Sequence, residues 1–288
     1  MTIEDYPFDR NEGCAVSDIF YQRARAGGRA LPGVERLSSG VDRKNFTNMF
    51  GDRGRELAGL AGIPLIETAG VHDVTLGTAP FGDFFFCDML AGLYDFPPGA
   101  RVHDFGCSTA RVIRNLKAAL PHIDAYGCDP RASSIDFITP LVPDVTFFTS
   151  NQAPPIASND YRFDMVFAIS VWSHFSEVRA LEWFDEMARI IVPGGRLIFS
   201  THGQRAVYHF AVVKKTMPAE RARERLDALA RGQHHYRRYP ASDLDSHWGM
   251  AFLPRSWVET HLADKWRLDT FSPGLAMANQ DVYSLARR

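Results

Sequence analysis

The stretch from Arg101 to Pro130, RVHDFGCSTARVIRNLKAALPHIDAYGCDP, constrains this chain more than any other. An apolar run, Val102 to Phe105, meets a turn of small residues, Gly106 to Ala110. Val112, Ile113, Leu116, Ala119 and Leu120 then recur at helical spacing until Pro121 ends the pattern. A second apolar run, Ala125 to Cys128, closes on Asp129. Strand, tight turn, helix, strand and acid, in that order, make a nucleotide-binding βαβ unit.

The turn narrows the ligand. A dinucleotide site places three glycines there so that the backbone can cradle a pyrophosphate. Here only Gly106 is glycine, and Ser108 and Ala110 hold the other two places. The turn is still small, but its phosphate cradle is weakened. Asp104, at the end of the first strand, would repel a pyrophosphate and suit a cationic amino-acid head. Asp129 has the place of the acid that accepts hydrogen bonds from ribose hydroxyls. A ribose, no phosphate and a positive end describe S-adenosylmethionine (SAM) better than NAD, so a nicotinamide oxidoreductase is disfavoured.

The run VHDFGCSTARV resembles the first motif of class I SAM-dependent methyltransferases, hydrophobic-hydrophobic-Asp-x-Gly-Cys-Gly-x-Gly-Arg. Asp104, Gly106, Cys107 and Arg111 match; Ser108 and Ala110 depart. FDMVFAIS followed by VWSHFSE resembles that family's fourth strand and the loop after it. LEWFDEMARIIVPGGRLIFSTHG resembles its late helix, Pro-Gly-Gly and strand. The ordered matches cover Phe81 to Thr201. The resemblance implies a three-layer, Rossmann-like α/β fold: a seven-stranded, mostly parallel sheet with helices on both faces. It implies SAM as cofactor, held by Asp104, Gly106, Cys107, Ser108, Asp129 and Pro130. Asn151 and Gln152 would flank the adenine or simply form a polar turn.

Ligands of open α/β sheets bind beyond the carboxyl ends of the strands. Ile169 and Ser170 therefore join the cofactor residues, and Trp172 and His174 fall where reacting groups meet. Methyl transfer from a sulfonium is an in-line displacement that needs alignment and often a base. Histidine titrates near neutrality, so His174 is the first catalytic candidate and His202 the second; His174 could instead only pack at the start of the next helix. Trp172, His247 and Trp248 are candidates for the substrate wall. Isolated histidines are not a metal-site pattern, and no metal is expected.

Elsewhere the sequence predicts a helical extension or lid over residues 1–78 and a main domain over 79–288. Helices are expected at Phe81 to Leu93, in PRASSIDFITPLV, and from Ser176 to the stop at Pro193-Gly194-Gly195. Strands are expected at Val145 to Phe148, Phe163 to Ser170 and Arg196 to Ser200. An insert near residues 204–250 would cover the substrate site. It carries a basic helix, Phe210 to Gly232, and the run HHYRRY. A short helix at Ser256 to His261 and an antiparallel pair, Trp266 to Phe271 with Asp281 to Ala286, complete the chain.

The 288 residues carry a formal charge of −2, which gives no global case for nucleic acid as a partner. Four cysteines lack metal-ligand spacing; Cys107 and Cys128, which end adjacent strands, read as buried thiols, and the expected compartment is the reducing cytoplasm. The polar, acidic N-terminus is no signal peptide, and no apolar run is long enough to span a membrane. The expected function is methyl transfer to an oxygen or nitrogen of a small, possibly anionic acceptor. RNA or protein methylation, or SAM binding without catalysis, are the alternatives.

Overall fold

The computed structural model describes residues 84–156, 162–240, 244–276 and 279–288; the expected extension over residues 1–78 lies outside them. These residues form two compact units. One comprises 84–151 with 163–167, the other 152–156, 162 and 168–288.

The N-terminal unit holds α1 (Phe84–Leu93), β1 (Arg101–Phe105), α2 (Ile113–Ala119), β2 (Asp124–Asp129), α3 (Ala132–Ile138), β3 (Val145–Thr149) and β4 (Phe163–Ala168). The strands pair in parallel in the order β3-β2-β1-β4. Parallel strands covered by helices read as continuous apolar runs, because both their faces are buried. Val102, Cys128, Phe163, Met165, Val166 and Phe167 accordingly lose all exposure. Each large side chain of this kind contributes about 1.5–3 kcal/mol by leaving water. Asp164 fixes the start of the β1–β4 pair: its Oδ2 accepts the backbone N–H of Arg101 at 2.8 Å. His103 is enclosed between Phe163 and Phe148, with ring centroids at 4.6 and 5.5 Å. Burial pushes its imidazole down to about 3, so it packs as a neutral ring.

The C-terminal unit is built on α4 (Glu177–Ile190) and the long β5 (Ile191–His202). Ser176 caps α4 by accepting the Arg179 backbone N–H. Ala180, Trp183, Phe184, Met187 and Ile190 recur at helical spacing and are buried. The helix ends at Ile190, before the Pro-Gly-Gly stop read from the sequence, because Ile191 is already extended. β9 (Gln280–Arg287) runs antiparallel to β5, from Arg196↔Ala286 to His202↔Gln280, and β8 (Trp266–Ala276) runs antiparallel to β9. Phe199 of β5 stacks on Tyr283 of β9 at 4.9 Å. α7 (Arg255–His261) is tied to α4 by Trp257 Nε1, which donates to Glu177 Oε1 at 2.7 Å.

The insert departs from the single helix expected over Phe210 to Gly232. α5 (Gln204–Tyr208) runs into a π turn, His209–Val213. Lys215 then takes a left-handed conformation, and Pro218, which has no N–H to continue a helix, precedes α6 (Ala219–Ala230). The basic run forms β6 (His235–Arg238), paired antiparallel with β7 (Gly249–Phe252). β7 in turn pairs in parallel with the end of β5, His202↔Phe252. The seven expected strands are present, and the insert adds these two short ones.

Gly249 has no room for a side chain: a Cβ there would lie 2.3 Å from the Arg237 carbonyl oxygen. Gly249→Ala is expected to lower unfolding stability by about 2 kcal/mol, the usual range for forced overpacking, as measured by urea denaturation.

Candidate functional site

The turn after β1 keeps the conformation of a glycine turn without its glycines. Gly106, Ser108 and Ala110 all have positive φ, at 78°, 49° and 56°. A left-handed residue with a Cβ costs about 1–2 kcal/mol, so neighbouring bonds must hold this backbone in place. Two of them reach back to β2: the N–H groups of Gly106 and Cys107 both donate to the Cys128 carbonyl at 2.9 Å. A third comes from Ser108, whose N–H donates to Asp129 Oδ2 at 3.0 Å. Asp129 Oδ1 also accepts the Arg131 N–H at 2.9 Å. These two bonds orient the carboxylate. The Ala110 methyl is fully buried in the protein, so the departure from glycine does not fill the concave side of the turn with that methyl.

Asp104 is buried at the end of β1. Burial pushes its carboxyl up to about 8, against the opposing pull of Arg111 and a bond from the Ile113 backbone, with Asp129 adding to the rise. A carboxyl in this state gains most from an arriving ammonium group. Cys107 is equally enclosed, and burial pushes its thiol well above the ordinary range. It packs beneath the turn and offers its backbone rather than a reactive sulfur. Pro130 directly follows β2, and the exposed Asn151 lies two residues beyond the end of β3.

Gln152 belongs to the C-terminal unit. Its carbonyl accepts from Arg179 Nη1, and its Oε1 accepts the Asp245 N–H at 2.7 Å. Arg179 also pairs with Asp245 Oδ2 at 2.9 Å. This network holds Gln152 through its two oxygens.

In the same unit, the loop after β4 gathers a polar cluster. Ser170 is left-handed, at φ 63°. Its N–H donates to Ser200 Oγ at 2.8 Å, Ser200 Oγ donates to Gln280 Oε1 at 2.7 Å, and Gln280 Nε2 donates to Ser170 Oγ at 2.8 Å. Ser173 Oγ adds a bond to the Ser170 carbonyl at 2.9 Å. This closed ring explains how Ile169 and Ser170 are held at a fixed bend. Sequence reading finds Ser170 but not Gln280, which reaches it only through the β5–β9 register.

His174 is the best-positioned of the expected catalytic residues. Its Nδ1 lies 2.8 Å from the Gly249 carbonyl. A carbonyl only accepts, so Nδ1 carries the proton and Nε2 the lone pair. The ring stacks on Trp248 at 4.5 Å, and Tyr239 Oη lies 3.4 Å from Nδ1. Tyr239 was seen in the sequence only as part of a basic, aromatic run.

Three other expected site residues are placed as follows. His202 is almost fully buried, and burial, with His174 nearby, pushes its imidazole down to about 3. Its Nδ1 is bonded to the Ala251 carbonyl at 3.1 Å. It is a neutral packing and hydrogen-bonding group, poorly suited to taking a proton. Trp172 has no exposure and lies among Phe184, Phe199 and Phe175; it belongs to the core and not to a substrate wall. His247 is engaged at the start of α4, with Nδ1 2.7 Å from Ser176 Oγ and its carbonyl accepting the Ser176 N–H. Among the described residues no group of three or more His, Cys, Asp or Glu side chains could hold a metal ion.

Residues 103–197, the stretch that contains this turn, match the family described as a methyltransferase domain. Over these residues the chain is similar to a methyltransferase domain. A protein named probable tRNA methyltransferase 9B from Bos taurus is 29% identical over 142 residues, covering 46% of this chain and 29% of that protein. Its namesake from Mus musculus is 25% identical over 205 residues, covering 68% and 37%. The chain thus spans about a third of the length of the curated relatives it matches. Among solved structures, the PH0226 protein of Pyrococcus horikoshii shares the fold, with a TM-score of 0.50 at 14% identity over 70% of this chain and 87% of that one.

Two outcomes are expected from the turn after β1. Ser108→Gly relieves a left-handed side chain and leaves thermal stability equal or higher, whereas Ser108→Val, β-branched at positive φ, costs about 1–2 kcal/mol. Differential scanning calorimetry separates them. For Asp104, the unfolded carboxyl titrates near about 4, and the folded one is held up to about 8. The folded state therefore keeps a proton that the unfolded state has released. This contribution is complete at acid pH and is lost as pH rises toward the folded value. Asp104→Asn should remove that decline, so its melting temperature exceeds that of the parent chain by a margin that widens between pH 5 and pH 8.

Proposed function

We propose that this chain transfers a methyl group from SAM to an oxygen or nitrogen of a small-molecule acceptor. The observation that carries the methyl-transfer reading is the left-handed backbone at Gly106, Ser108 and Ala110, locked to Asp129. That backbone keeps a close-approach surface beside a strand-end carboxylate, which fits a ribose. The raised Asp104 carboxyl fits a cationic amino-acid head, which no dinucleotide has. SAM, when bound, supplies an electrophilic methyl on sulfur. Asp129 would accept the ribose hydroxyls, and Asp104 would balance the ammonium group. His174, its Nδ1–H held by Gly249, would present Nε2 to take the acceptor's proton.

A second reading makes the acceptor a nucleoside of RNA. Nucleic acid was not expected from the charge of the chain, but two relatives carry the name of probable tRNA methyltransferase, and this returns RNA to the candidates. Arg237 and Arg238 of β6 are exposed, as are Arg221 and Arg223 of α6. The overall charge of −2 weighs against tight RNA binding, and the methyltransferase family match ends at residue 197, before the insert. Among the described residues no helix is long and apolar enough to cross a membrane.

The test is calorimetric titration with S-adenosylhomocysteine, followed by methyl-donor consumption against panels of small molecules and tRNA. Binding lost in Asp129→Ala, with turnover on a small acceptor, is the expected result. His174→Asn can still donate to Gly249 and should bind S-adenosylhomocysteine normally while losing most turnover. Salt-sensitive turnover on tRNA, abolished in Arg237→Ala/Arg238→Ala, would replace the small-molecule reading by the second.

A further inference from the structure

Within the C-terminal unit, His174 lies against two half-buried aromatic side chains from the insert. The Trp248 ring is nearly parallel to the imidazole, 4.5 Å away with 24° between the planes. The Tyr239 ring lies 5.9 Å away, and its Oη is 3.4 Å from His174 Nδ1. Trp248 is itself held in place. Phe175 meets its ring edge-on at 5.8 Å and pairs with its backbone in an antiparallel bridge. The loop before it is tied down by Asp245, which pairs with Arg179 at 2.9 Å and accepts the His247 N–H at 2.8 Å.

Each of these contacts favours a charged ring over a neutral one. An indole face is electron-rich and attracts a cation placed over it. The Nδ1–H is shared between the Gly249 carbonyl at 2.8 Å and Tyr239 Oη. Both oxygens accept, and acceptors favour the imidazolium because its N–H groups are the stronger donors. The neighbouring titratable groups add little charge of their own. His202 of β5 lies 6.4 Å away, ring to ring, and burial pushes it down to about 3, so it is neutral. Burial pushes the Tyr239 phenol up, so it keeps its proton. Asp245 and His247, on the loop that carries Trp248, are bonded to Arg179 and Ser176. Arg237 and Arg238 of β6 are exposed to solvent. The stack and the shared Nδ1–H all leave Nε2 outside these contacts.

We infer that Trp248 and Tyr239 are positioning residues for His174: they fix the plane of its ring and stabilise the protonated form. Trp248, expected from the sequence in the substrate wall, thereby acts through the histidine. In the proposed reaction the acceptor's oxygen or nitrogen bonds the methyl as the carbon–sulfur bond breaks, and the acceptor's proton passes to Nε2. The positive charge lost from the sulfonium then resides on the imidazolium, against the indole face. This role in turnover rests on the methyl-transfer reading; the effect on the ring does not.

The test is an NMR titration of the full chain carrying isotope-labelled histidine, with the His174 signal identified by its loss in His174→Asn. Ring-fluorinated tryptophan in place of tryptophan keeps the shape of the stack but withdraws electron density from its face. Fluorination is expected to lower the pKa of His174 by about half a pH unit, the size of a partly exposed cation–π contact. In Trp248→Phe, which keeps a ring at that position but cannot carry the label there, fluorination should leave His174 unmoved. Tyr239→Phe, which loses only the hydroxyl, should lower it by a smaller amount. Circular dichroism melting of each protein establishes that it is folded. An unchanged His174 pKa in the fluorinated parent chain would overturn the inference, as would an equal fall on fluorination of Trp248→Phe. An unchanged value in folded Tyr239→Phe would overturn the part assigned to Tyr239. These readouts need no methyl acceptor, so their failure is distinguishable from failure of the methyl-transfer reading, which turnover of His174→Asn tests.

Discussion

The bond from the Ser108 backbone N–H to the Asp129 carboxylate is the constraint on which the turn after β1 depends. It joins the turn after β1 to the end of β2 and fixes both in one geometry. Without it, two side-chain-bearing residues at positive φ would relax toward ordinary conformations, because each is held against about 1–2 kcal/mol of steric cost. The parallel β1–β2 register places Phe105 opposite Cys128, one residue before Asp129. The Cys128 carbonyl then receives two N–H groups of the turn. A glycine-rich turn can bend because nothing prevents it; this one bends because its hydrogen bonds leave no alternative.

The acceptor-side candidate depends on a different kind of bond. His174 is oriented by a backbone carbonyl, that of Gly249, from a strand far along the chain. The same strand returns a backbone bond, since the Gly249 N–H donates to the His174 carbonyl at 2.8 Å. β7 can pair so closely with β6 only because Gly249 has no side chain, since a Cβ there would meet the Arg237 carbonyl oxygen at 2.3 Å. The insert therefore does more than decorate the C-terminal unit: it sets the tautomer of the histidine that the proposed chemistry uses.

Burial sorts the ionisable groups by role. His103 and His202 are enclosed and held neutral, so they pack as neutral rings, and His202 donates its Nδ1–H to the Ala251 carbonyl. Asp104 is enclosed too, but a carboxyl responds to burial by holding its proton, which makes it receptive to a cation. A buried cation has no comparable escape when it is arginine, whose guanidinium stays charged.

By itself, the sequence determined the order of strand, turn, helix and acid from Arg101 to Pro130, the helix capped by Ser176, and the closing antiparallel pair. Those features are set by hydrophobic period and by turn and capping residues, all local in the chain. The family match over residues 103–197 was legible for the same reason, since its motif is contiguous. The tertiary structure alone decided that Ser108 and Ala110 keep a glycine conformation, because the bonds that hold them come from β2. It decided that Trp172 lies in the core and that His202 stays neutral, since burial depends on what the rest of the chain places around a residue. It also decided that Gln280 completes the ring with Ser170 and Ser200, and that Trp248 stacks on His174. Those residues are brought together by the register of β5 and β9 and by the packing of the insert, and no local pattern in a sequence encodes a register between strands so far apart.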